Sequence, residues 1–169
     1  LFAFGARSAS IVDEETGVIG DTGDDFERIT AHLDLFGDAP FIFNDDNDDD
    51  SPDRDGRSDA KGPEPEGVVV GEIDGRSYAF IGLERVGSIM VYDVTNPRLP
   101  RFSDYINNRD FNVDGSDLED GVVALDQAGD WGPEGLAFIK AEDSPNGEPL
   151  LAVGNEVSGT TTIYQINVE

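Results

Sequence analysis

An internal repeat constrains this chain more than any other feature. The stretch GLERVGSIMVYDV, beginning at Gly82, lies over GNEVSGTTTIYQI, beginning at Gly154, at a constant offset of 72 residues. Gly82 matches Gly154, Glu84 matches Glu156, Gly87 matches Gly159 and Tyr92 matches Tyr164. Upstream, Pro65-Glu66-Gly67 matches Pro133-Glu134-Gly135 at an offset of 68. A shared glutamate alone would be chance; a colinear order of Pro-Glu-Gly, strand, Gly-x-Glu, strand is not. The opening FAFGARSASIVD gives a weaker third copy that lacks the Pro-Glu-Gly. Repetition of strand-rich units is the signature of propellers and β-solenoids.

Strand signals dominate between the repeated landmarks. LFAF, SASIV, GVVVGEI, SYAFIGL, SIMVYDV, GLAFI, LLAVG and TTTIYQI are short runs rich in β-branched or aromatic residues, punctuated by Gly, Asp, Asn and Pro. Each full unit lays out as four antiparallel strands. Strand A is Val68 to Glu72, strand B Ser77 to Leu83, strand C Ser88 to Val94 and strand D Arg101 to Phe111. The fold expected is therefore all-β: two to three four-stranded blades of a β-propeller, incomplete alone. Residues 1–30 supply strands B to D of one blade, with Val18 to Ile29 as its D strand. Residues 31–64 form an acidic insertion, 65–111 a complete blade, 112–132 a second acidic insertion, and 133–169 strands A to C of the last blade. In Asp24 to Phe36 the apolar residues look unevenly spaced, which suggests a strand in front and a helix behind. The start on LFAFGARSASIVD, without an initiator Met, reads as the middle of a folded element and the chain as a piece of a longer one.

Charge narrows the partners. The 37 acidic residues outnumber the 11 basic ones, and a formal charge of -26 repels nucleic-acid phosphates and anionic membranes. It also favours solubility and calls for bound cations or high salt. Only Lys61 and Lys140 are lysines, and this acidic, lysine-poor composition suits a marine, salty or calcium-rich exterior, with a merely acidic cytosolic protein as the alternative. With no cysteine and a single His32, disulfides, thiolate metal sites and multi-histidine zinc sites are excluded. No apolar run approaches the ~20 residues of a membrane span.

The densest carboxylate cluster is NDDNDDDSPDRDGRSD. Calcium takes six to eight oxygen ligands, and a tight loop of alternating acids can supply them. Candidate ligands are Asp45, Asp46, Asp48, Asp49, Asp50, Asp53, Asp55 and Asp59, with a second set in Asp114, Asp117, Glu119 and Asp120. The first loop imitates the start of an EF-hand, but its twelfth position is Gly62 rather than glutamate. The alternative for both loops is a solvated acidic surface. The Pro-Glu-Gly segments read as turns, in which Pro sets φ and Gly allows φ > 0. In that structural reading the Glu accepts backbone N–H bonds at the entrance to strand A; the functional alternative places Glu66 and Glu134 at the mouth of a propeller channel, where Glu84 and Glu156 join them. With Arg7, Arg57, Lys61 and Arg85 nearby as anion-binding residues, these four glutamates are the candidates for metal-assisted phosphoester hydrolysis. Against catalysis by a nucleophile, no serine has a Gly-x-Ser-x-Gly context, and His32 stands alone. Trp131, Tyr92 and Tyr164 read as core.

The stretches KGPEPEGVVVGEIDGRSYAFIGLERVGSIMVYDVTNPRLPRFSDYINNRDF and WGPEGLAFI, with LLAVGNEVSGTTTIYQI, resemble the C-terminal part of the choice-of-anchor I family. These are secreted or surface-anchored bacterial β-propeller-like proteins, often labelled mesenchyme-specific cell surface glycoprotein-like or alkaline phosphatase-like. The resemblance implies a propeller and an extracellular or cell-surface location, and it implies little chemistry. The leading expectation is a calcium-stabilised extracellular structural or interaction module, completed by blades from another segment of the precursor or from other chains. A calcium-dependent phosphoesterase and a subunit of a surface assembly or filament are the alternatives.

Overall fold

The computed structural model describes residues 7–37, 42–48 and 51–167. The expected strand LFAF, together with Asp49 and Asp50, lies outside the described residues. Nine strands form three antiparallel sheets. β1 (Ser10–Asp13) and β2 (Gly17–Asp21) make a two-stranded hairpin, followed by helix α1 (Asp25–Phe36). β3 (Pro65–Ile73), β4 (Arg76–Leu83), β5 (Ser88–Asp93) and β6 (Arg101–Asn107) form a four-stranded sheet in sequence order. After a short helix α2 (Gly115–Glu119), β7 (Pro133–Ile139), β8 (Leu150–Asn155) and β9 (Thr160–Gln165) form a three-stranded sheet, also in sequence order. The four-stranded and three-stranded sheets pack face to face, with β3 of one against β7 of the other. Among the described residues they do not close into a barrel; the arrangement is that of an incomplete, propeller-like all-β fold.

Local chemistry explains the connections. Asp74-Gly75 joins β3 to β4, both residues at positive φ (52° and 75°), the geometry that matches the right-handed twist of a tight hairpin. The two-residue period of β4 and β5 sends side chains alternately to opposite faces. Ala79, Ile81, Leu83, Met90 and Tyr92 pack with Phe26 of α1 and with Ile42 on one face. Tyr78, Phe80, Ile89 and Val91 pack with Leu151 and Val153 of the three-stranded sheet on the other. The central sheet is thus buried on both sides, which is why its middle strands are continuous apolar runs.

Three sequence expectations are corrected. Val18 to Ile29 is not a D strand, and the front of Asp24 to Phe36 is not extended: β2 ends at Asp21 and Asp25–Phe36 is helical throughout. Phe26, Ile29, Thr30 and Leu33 stand at the i, i+3, i+4, i+7 spacing of one helix face and pack on the central sheet. The signal was hidden because Thr30 reads as polar; its hydroxyl donates to the Phe26 carbonyl at 2.8 Å and so tolerates full burial. Strand D is shorter than Arg101 to Phe111, since β6 stops at Asn107. The Pro-Glu-Gly segments are not turns. Each opens the first strand of its sheet across an irregularity in pairing, between Pro65 and Val68 and between Pro133 and Gly135.

Gly67 and Gly135 are consequently not positive-φ residues. At Gly67 the need is for close approach: a Cβ there would stand 2.5 Å from both the Glu134 carbonyl oxygen and the Leu136 side chain. At Gly135 a Cβ would meet nothing within 4 Å. Gly67→Ala should therefore cost about 1–3 kcal/mol, because a backbone atom must move. Gly135→Ala, at the equivalent repeat position, should stay within about 0.5 kcal/mol. Urea unfolding of the two variants checks this asymmetry; equal effects would contradict the close β3–β7 contact.

Candidate functional site

The acidic insertion is pinned to the fold by one fully buried ion pair. Asp45 and Arg109 have no exposed side-chain surface, and Arg109 Nη2 lies 2.7 Å from Asp45 Oδ2. Just past the end of β6, the guanidinium stacks over the rings of Trp131 (4.1 Å to the centroid) and Phe111 (4.6 Å). It donates to the Arg85 carbonyl at 2.9 Å and to the Ser51 hydroxyl. Asp45 also accepts from the Ser51 hydroxyl at 3.3 Å. Burial pushes the Asp45 carboxyl up against the attraction of Arg109, and pushes Arg109 down to about 10. Both ions are held by each other and by these hydrogen bonds, with Arg109 Nε left without a partner.

Around this pin, six residues singled out in the sequence converge: Asp46, Arg57, Lys61, Glu66, Glu84 and Arg85. Glu64, buried, accepts from Arg85 Nε at 2.6 Å, pairs with Lys61, and lies 3.5 Å from Arg57. Asp46 is 3.4 Å from both Arg57 and Arg85. Asn47 accepts from Arg85 and stands 3.4 Å from Glu84 Oε1. Burial pushes the Glu64 carboxyl up, yet its bonds to Arg85 and Lys61 outweigh this and hold it below the usual glutamate range. Glu84 behaves oppositely: burial, then a hydrogen bond with Glu66, raises it despite the neighbouring Arg85. The result is a two-carboxyl pair, Glu84 with Glu66, beside a knot in which Arg57, Lys61 and Arg85 meet Glu64 and Asp46, and Arg85 also lies 3.7 Å from Glu84.

Glu134 and Glu156 do not enter this knot; both are exposed at the start of β7 and just after β8. Their backbone keeps the repeat, however, since Glu156 N–H donates to the Gly132 carbonyl at 2.7 Å just as Glu84 N–H donates to Glu64 at 3.0 Å. Arg7 is used elsewhere, donating to Glu27 at 2.6 Å and to the Ser58 and Ala60 carbonyls. Of the proposed calcium ligands, Asp45 and Asp46 are the arginine partners just described. Asp55 accepts from Ser58, and Asp114 caps α2 by accepting from the Ser116 N–H at 2.9 Å. Asp48, Asp53, Asp59, Asp117, Glu119 and Asp120 are exposed. Among the described residues, no three carboxylate or imidazole side chains gather to hold a metal ion.

Sequence reasoning passed over Arg109, Glu64, Asn47 and Asp130. Arg109 was detectable as one of few basic residues, set between polar residues and followed by an aromatic. Glu64 was obscured because GPEPEG carries Pro-Glu twice and only the second copy aligns with GPEG at the 68-residue offset. Asp130, also buried, accepts from Asn155 at 3.1 Å, from Thr162 and from Tyr164. Tyr164 thereby mirrors Tyr92, whose hydroxyl donates to Asp25 at 3.3 Å. In both, burial raises the phenol, and the adjacent carboxylate raises it further.

The family follows from comparison. Residues 1–97 match the choice-of-anchor I domain, and the chain belongs to that family, a module of surface or secreted proteins. It is also similar to Gigasin-3a of Magallana gigas, at 30% identity over 115 residues. That match covers 67% of this chain but 39% of the relative, so the chain spans about two fifths of the length of the curated protein it matches. No solved structure matches. Among the described residues no helix is long and apolar enough to cross a membrane.

Two outcomes test this electrostatic layout. Arg109→Ala or Asp45→Ala alone strands a buried charge and should cost about 3–5 kcal/mol in denaturant unfolding. Replacing the pair together by Met and Leu should cost much less, and equal losses would deny the pairing. The raised Glu84 carboxyl binds a proton in the folded chain at pH values where the unfolded chain does not. Its contribution to stability therefore grows as pH falls from the raised folded value toward the ordinary glutamate value. Glu84→Gln should flatten that part of the curve of unfolding free energy against pH.

Proposed function

We propose that the chain is a structural or interaction module of a surface or secreted protein, working outside the cell and stabilised by calcium on its acidic loops. The observation that carries this reading is the use of its scarce cations. Arg57, Lys61 and Arg85 close on Glu64, Asp46 and Glu84, and Arg7 closes on Glu27. Basic groups so compensated serve to hold loops against blades, and they have little charge left with which to bind a phosphate. Family membership among surface and secreted modules supports the same reading.

Calcium enters through what the arginines leave over. Asp48, Asp53, Asp59, Asp117, Glu119 and Asp120 carry no ion pair among the described residues, and the net charge is -26. Self-repulsion of that size is relieved by divalent cations more effectively than by sodium. The melting temperature should rise by several degrees in calcium chloride relative to sodium chloride at equal ionic strength, and fall back with chelator. Identical melting in both salts would remove calcium from the proposal. Hydrolysis of p-nitrophenyl phosphate with added calcium should be absent. Turnover that disappears in Glu84→Gln would instead make this a phosphoesterase.

A further inference from the structure

Cover on one face of the central sheet stops one strand short. Ala79 and Ile81 of β4, and Met90 and Tyr92 of β5, are buried beneath α1 and Ile42. Their cross-strand neighbours on β3 continue the same face, Val70 beside Ala79 and Val68 beside Ile81. These valines are 58% and 62% exposed. The opposite face of β3 has no such gap, because Val69 and Ile73 pack with Leu136 and Phe138 of β7.

The repeat supplies a template for the missing cover. At the 68-residue offset, Leu136 and Phe138 occupy the places of Val68 and Val70. In β7 these two side chains are seated because β3 presents glycine to them. A Cβ at Gly67 would be 2.5 Å from Leu136, and one at Gly71 would be 2.5 Å from the Phe138 ring. The equivalent seat for Val68 and Val70 is an inner strand with small residues in those places.

We propose that Val68 and Val70 seat a single extended strand, supplied by another segment of the longer polypeptide and carrying glycine or alanine at two positions four residues apart. The width of the gap argues for one strand. A whole sheet of a second copy would meet α1, which already covers β4 and β5. The source is argued from length: the chain matches 39% of Gigasin-3a, so more than half of a protein of that size remains to supply the strand. Exposed Glu66 and Glu72 flank the valines and disfavour an acidic occupant. This inference rests on reading the chain as an interaction module and gives that module a defined seat.

The test uses the chain's own inner strand as probe. A synthetic copy of that strand with both glutamates made lysine, PKGVVVGKI, whose glycines are four apart, is titrated onto the isotopically labelled 169-residue chain and followed by amide chemical shifts. Saturable shifts are expected at Val68 to Val70. Binding should weaken at least tenfold when both peptide glycines become valine, and likewise for the Val70→Lys chain, whose circular dichroism should be unchanged because the position is exposed. No saturable shift, equal binding by the valine peptide, or shifts centred on Ile163 of β9 would each overturn the proposal. Dimerisation of the chain that Val70→Lys abolishes would place a second copy there and overturn it too. The p-nitrophenyl phosphate assay reads the module assignment separately, so failure here leaves that result standing.

Discussion

The buried pair of Arg109 and Asp45 is the contact on which the irregular half of the molecule depends. It draws a carboxylate from a strongly acidic loop into a site with no water-accessible surface, where a lone charge would be prohibitively unstable. The guanidinium lies between two aromatic faces, Trp131 from the segment before β7 and Phe111 from the segment after β6. One residue thus joins the acidic insertion, the central sheet and the last sheet. The gain is mainly in specificity of position. A pair of apolar residues could fill the same volume, but it would not dictate which carboxylate of the loop comes inside.

From that pin the surrounding charges fall into order. Ser51 is fixed by Arg109, and its carbonyl accepts from the Gly115 N–H at 2.9 Å, so the two acidic insertions are tied to each other. Asp46 and Asn47, next along the chain from Asp45, reach Arg85, which also holds Glu64. In a protein with few basic residues, Arg57, Arg85 and Arg109 sit where loops meet sheets, and Asp48, Asp53, Asp59, Asp117, Glu119 and Asp120 are left to solvent. A phosphate-binding centre requires the reverse distribution, with positive charge uncompensated and facing a cleft.

Much of the regular structure was legible because its signals are local and repeated. The apolar runs SYAFIGL and SIMVYDV and the colinear Gly-x-Glu landmarks are all carried by neighbours in sequence. What escaped was tertiary in origin. The helix of Asp25–Phe36 needs Thr30 on its buried face, and only the backbone hydrogen bond to Phe26 makes that acceptable. Gly67 looked like a turn residue, yet its conformation is ordinary and its smallness serves a strand 68 residues away. The candidate site divided along the same line. Glu66, Glu84, Arg57, Lys61 and Arg85 stood near repeated landmarks, whereas Arg109 and Asp130 acquire their roles from partners that no spacing reveals.

The two-sided burial of the four-stranded sheet has a consequence for motion. β4 and β5 are screened from water on both faces, while the flanking hairpin and three-stranded sheet each have one open side. Local openings begin where few apolar contacts must be broken. The molecule therefore behaves as a rigid spine with two softer flanks, and the flanks can adjust to a neighbour while the spine preserves the geometry of the inner strands.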